Sequence, residues 1–202
     1  ACNGHEVYRG DRRGQWLKKL REPGAKQRAH SLYEQLAALK PLRHEAKREM
    51  IKEARRQPAY AVLMSVPQFG PVRVAQLLAV VGTPFRFRNK RLFWSYVGLA
   101  VVTRTSAEYV VVNGVARRSR RPLGTRGLNR NHNPVLKRVF KSAATSACAC
   151  GPFKAGYEAR VAQGMDASLA RLTVARQLAA TILAIWKRGE LFAPERIKQQ
   201  VA

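Results

Sequence analysis

Residues 59–82 read AYAVLMSVPQFGPVRVAQLLAVVG, two apolar helical segments joined by Pro67-Gln68-Phe69-Gly70-Pro71. A short turn holding Gly between two helices is the signature of a helix–hairpin–helix element. Gly70 lets backbone N–H groups approach a phosphate, and Pro71 suits the first position of the second helix. The N-terminal end of that helix favours an anion, and Arg73, one turn in, can add a side-chain contact. An αα-hairpin that packs and binds nothing is the plainer alternative. The basic section around this stretch favours the binding element.

Downstream, FRFRNK (85–90) leads into a helix over 89–98 with Leu92, Phe93 and Tyr96 on its buried side. AEYVVV (107–112), Asn113-Gly114 and VARRSRR (115–121) predict a β-hairpin, because Asn-Gly favours a two-residue type I′ turn. Its second strand carries Arg117, Arg118, Arg120 and Arg121, spaced to grip phosphates. From Pro122 the chain reads as irregular until Asn133, a suitable N-cap, and Pro134, a suitable first helical residue. A helix over 134–150 should bury Val135, Leu136, Val139, Phe140 and Ala143; a shorter helix (153–163) follows. A long one (166–188) presents Leu169, Leu172, Ala175, Leu178, Ile182 and Ile185 at helical spacing and ends at Gly189.

Upstream, residues 25–57 carry a narrow stripe of Ala29, Leu32, Leu36 and Leu39, resumed by Ala46 and Met50. Such a stripe with charged flanks is either a coiled-coil seam or the face of a plain surface helix, and Pro41 should kink or split it. The chain thus divides into a basic lead-in over 1–24, expected to be the remnant of a further N-terminal domain, a coiled-coil helix over 25–57, a domain over 58–190 and a tail over 191–202. The fold class is mainly α: a helical domain with a helix–hairpin–helix element and one β-hairpin, preceded by a long coiled-coil-like helix.

Charge narrows the partners. The 202 residues hold 38 Lys+Arg against 12 Asp+Glu, a formal net charge of +26. Between residues 54 and 157 Glu108 is the only acid, so this section is the expected nucleic-acid face. It cannot assemble a two-metal carboxylate site by itself. Cys2, Cys148 and Cys150 fit neither a disulfide framework nor a zinc knuckle, and His5, His30, His44 and His132 lack ligand spacing. No metal site is expected in this chain. No apolar run approaches the roughly 18 residues of a membrane helix, so the expected location is cytoplasmic, with no membrane partner.

Ser106 is the hydroxyl of interest: it follows Arg104-Thr105 at the mouth of the basic hairpin. A serine attacking a phosphodiester needs activation and cations for the charge that builds on phosphorus, which Arg104 and Arg117–Arg121 can supply. The string from Leu63 to Ala100, then Arg104-Thr105-Ser106-Ala107, the basic hairpin, Arg126-Gly127 and Asn133-Pro134-Val135-Leu136-Lys137 resembles one family. It is similar to the C-terminal domain of the insertion-sequence 110 (also 116/902) transposases over about residues 59–190. Residues 25–57 resemble the coiled coil that precedes that domain.

The resemblance implies a role in DNA transposition. It implies a C-terminal domain that supplies a catalytic serine, matched here by Ser106, and an N-terminal RuvC-like domain holding Mg²⁺ on a DEDD set. No RuvC-like pattern or DEDD set occurs in this chain, so its own cofactor expectation is none. Many members have Ser-Gly where this chain has Ser106-Ala107. Expected partners are DNA, a structured guide RNA and further copies of the chain through residues 25–57. The nucleic-acid-binding set is Gly70, Arg73, Arg104, Arg117, Arg118, Arg120, Arg121, Arg126, Arg130 and Lys137. The alternatives are a non-catalytic helix–hairpin–helix DNA-binding module, a decayed transposase remnant, or a basic structural RNA-binding protein.

Overall fold

The computed structural model describes residues 7–104, 109–118 and 124–197. The helices are α1 (Arg13–Lys19), α2 (Pro23–Arg55), α3 (Ala59–Met64), α4 (Pro71–Val81), α5 (Lys90–Tyr96), α6 (Pro134–Ala149), α7 (Lys154–Ala162) and α8 (Ala167–Arg188). The strands are β1 (Val101–Arg104), β2 (Tyr109–Val112), β3 (Val115–Arg118) and β4 (Gly124–Leu128). The chain divides into two compact units between Glu49 and Met50. The architecture is mainly α, as the periodicity predicts.

In the first unit, α1 and the start of α2 are tied by polar contacts. The Arg13 guanidinium lies 5.0 Å from the Tyr33 ring centroid, and the Tyr33 hydroxyl donates to the Val7 carbonyl at 2.8 Å. Pro41 does not split α2, which runs unbroken through it. The carbonyl that Pro41 deprives of an N–H belongs to Ala37, an exposed residue, so water can take that acceptor.

The second unit holds the core. Helices α6 and α8 pack most extensively, with α5 and α7 against α8 and α4 against α6. The Phe69 and Phe93 rings both meet Phe140, at centroid distances of 5.5 and 5.7 Å, and Phe87 meets Phe93 at 4.9 Å. Helix α8 is long and apolar enough to cross a membrane by length and composition. Its apolar side, from Ala170 through Leu178 and Ile182 to Trp186, is nevertheless buried in this core. Two residues expected inside are outside: Leu92 is 51% and Leu169 56% exposed, because each lies just past the edge of its helix's buried arc.

Caps follow the sequence signals. Asn133 accepts from the N–H groups of Val135 and Leu136, Asp166 from those of Ser168 and Leu169, and Gly189 closes α8 at φ 69°. Asn113 and Gly114, at φ 53° and 74°, turn β2 into antiparallel β3 as a type I′ pair requires. The expected irregular stretch after Pro122 instead contributes β4, which pairs antiparallel with β1 across a register irregularity between Val101 and Thr103. The structure therefore has a second two-stranded pair beside the hairpin. After β4, Asn129 and Asn133 donate backbone N–H groups to Ala100 and Tyr96, which fixes this segment on the end of α5.

Candidate nucleic-acid interface

Helices α3 and α4 are joined by a short turn through residues 65–70. Gln68 takes a positive φ of 70° in this turn, and Phe69 beside it is buried against Phe140. The N-cap of α4 is Gly70, at φ −74° and ψ 173°, with no side chain to cap the helix. Pro71 has no N–H, so the first-turn donors are those of Val72 and Arg73. Among the described residues, a Cβ built on Gly70 would meet nothing within 4 Å.

A groove of about 540 Å³ lies at this helix end. Val72, Arg73 and Gln76 form one side, and Val135, Arg138 and Ser142 of α6 the other. Arg73 is braced within it: Nε donates to Ser142 Oγ at 3.2 Å and Nη1 to the Gln68 carbonyl. It pins the turn to α6 and presents its charge in a fixed place. Arg138 is exposed on the opposite wall. Sequence reasoning chose Lys137 and missed Arg138; Lys137 is half-buried and does not line the groove. The spacing of Arg138 to Val135 and Ser142, three and four residues along α6, is the signal that would have found it.

The other expected contacts are distributed. Arg117 is exposed on β3, and Arg130 is exposed in the segment held on α5. Arg104 ends β1, Arg118 ends β3 and Arg126 lies within β4. Ser106, Arg120 and Arg121 lie outside the described residues. Of the expected set, Gly70 and Arg73 are the residues that the fold brings into one groove, and Arg138, outside that set, joins them there.

Among the described residues no group of three or more His, Cys, Asp or Glu side chains could hold a metal ion. Asp11 is an exposed partner of Arg9 at 2.9 Å, and that hydrogen bond holds its carboxyl below the usual range. Burial pushes the Cys148 thiol up, opposed by the charge of Arg171, so it is a poor nucleophile. The His132 ring lies against Gly98.

A family model described as the transposase IS116/IS110/IS902 family matches residues 60–158. The chain belongs to this family. The matched stretch takes in the groove, both strand pairs and α6, so the family's shared sequence covers the elements that build the candidate interface. Its role is in DNA transposition, and DNA is a partner. No curated protein matches the chain.

Proposed function

We propose that this transposase domain grips DNA phosphates at the open end of α4 and supplies Ser106 as the nucleophile for strand cleavage and rejoining. The family match over residues 60–158 carries the reading, since that stretch contains both the groove and Ser106. The groove supports the binding half. The uncapped N-terminal end of α4, with its helix dipole, and the side chains of Arg73 and Arg138 border the same groove.

In the proposed step Ser106 Oγ loses its proton to a base and bonds to the scissile phosphorus, while one bridging P–O bond breaks. The freed sugar oxygen takes up a proton. The serine phosphodiester that results keeps a P–O ester, so a second sugar hydroxyl can displace serine and rejoin the strand. Arginines near Ser106 in sequence, Arg104 and Arg117 among them, neutralise charge on the phosphoryl oxygens. Among the described residues no cluster fits a Mg²⁺ site; in this proposal Mg²⁺ is held by a RuvC-like partner domain, as the family resemblance implies, and no step here passes through it. A structured guide RNA and a second copy through residues 25–57 complete the proposed assembly.

By itself the chain should bind DNA and cut nothing. With a RuvC-like domain and guide RNA supplied, strand exchange should pass through a covalent protein–DNA adduct, mapped by mass spectrometry to Ser106. An adduct at another residue, or full strand exchange by Ser106→Ala, overturns the assignment. DNA binding with no adduct under any of these conditions identifies a non-catalytic binding module instead.

A further inference from the structure

A second cavity, about 820 Å³, lies between α8 and the segment that follows it, and shares no lining residue with the groove at Gly70. Trp94 of α5 forms one wall. Its indole N–H donates to the Arg176 carbonyl at 3.0 Å, which satisfies the polar edge of the ring and fixes its orientation. Lys90 Nζ lies 5.6 Å from the Trp94 ring centroid, and Arg160 and Arg188 bring two further cations to the lining. Arg176 donates Nε to the Leu99 carbonyl at 2.7 Å, but its Nη2 is buried with no acceptor among the described residues. Burial pulls this guanidinium below the ordinary arginine range. Gln177 adds an amide to the same lining. Glu190 and Glu195 also line the cavity, and Glu190 lies 3.9 Å from Arg188, so the site is not a simple anion sink.

These groups match one kind of ligand. An aromatic wall suits a base, an amide suits the edge of a base, and several cations suit its phosphate. The volume lies within the roughly 300–1,000 Å³ of small-molecule pockets. An acidic side chain would use the cations and leave the ring and amide idle. A lipid chain would strand the polar groups.

We infer that this cavity takes a single unpaired nucleotide of the bound nucleic acid, its base against Trp94 and Gln177 and its phosphate among Lys90, Arg160 and Arg188. The inference rests on the nucleic-acid reading above. An extruded DNA nucleotide and a bulged RNA nucleotide share this chemistry.

The test titrates the 202-residue chain with short duplexes, either fully paired or carrying a one-nucleotide bulge in a DNA or an RNA strand. A bulged duplex should bind about 10-fold tighter than the paired one, in the range expected for stacking one base. Which strand shows the gain identifies the source. Ala184→Phe, which fills the cavity, and Gln177→Leu, which removes the amide, should each abolish the gain and leave paired-duplex affinity unchanged. Equal binding of bulged and paired duplexes by the unaltered chain overturns the site, as does a gain that survives both variants. If Ala184→Phe unfolds the helix by circular dichroism, Gln177→Leu decides alone. Failure of the underlying reading looks different: no binding of paired duplex at low salt.

Discussion

Gly98 shows how much one position can carry. Its φ of 73° disfavours any side chain, and a Cβ there would stand 2.6 Å from His132 Cγ. Gly98→Ala should therefore cost about 2 kcal/mol, combining left-handed strain with a steric clash. Urea denaturation checks this: the midpoint should fall, and adding His132→Ala should restore only the part due to the clash. Asp166 makes a prediction about pH. Its carboxyl is held below its ordinary value of 3.8 by hydrogen bonds from the Ser168 hydroxyl and from the backbone N–H groups of Leu169 and Ser168. A depressed pKa means the charged cap stabilises the fold above the ordinary value and loses that effect as pH falls through the lowered one. Asp166→Asn keeps the cap without the titration. The difference in melting temperature between the two proteins should shrink as pH drops from about 6 to about 3. The Asn133 cap was legible in the sequence because a cap acts within one turn of itself, whereas Asp166 was read as the first residue of the helix it caps. The packing of His132 on Gly98 was not, since it joins residues on opposite sides of the strand pairs.

At the scale of elements, α4 and α6 make the groove together. Arg138→Ala removes a charge from its exposed wall without touching the Arg73 brace. DNA affinity should fall similarly for all sequences, and the slope of log affinity against log salt should shrink by about 1 if Arg138 meets one phosphate. An unchanged slope would place the phosphate elsewhere. Arg73→Ala should do more, because it also frees the Gln68 turn from α6. The turn, Gly70 and Pro71 could be read directly, since Pro and Gly restrict the backbone wherever they stand. That Arg138 rather than Lys137 faces the groove depends on the rotation of α6 about its axis. Burial of Leu136, Val139 and Phe140 against the core sets that rotation.

At the scale of the whole chain, Leu32 and Leu39 on α2 are 61% and 60% exposed, with Leu36 half-buried on the same stripe. An apolar stripe so narrow matches a coiled-coil seam. Sedimentation of the unaltered chain should give a multiple of 22.6 kDa, and changing Leu32, Leu36 and Leu39 to Ala should reduce it to the single-chain mass. An unaltered chain that already sediments at that mass rules out the seam. By itself the sequence determined the helices, their caps, the Asn113-Gly114 hairpin and the basic middle section. Each of these is set by periodicity, backbone stereochemistry or charge within a few residues. The tertiary structure decided what depends on distant partners. It paired β1 with β4 across the hairpin, carried α2 straight through Pro41, turned Arg73 inward as a brace, and set Trp94, Gln177 and three arginines around one cavity. Those outcomes follow from which surfaces meet when the core closes, and no local signal encodes that meeting.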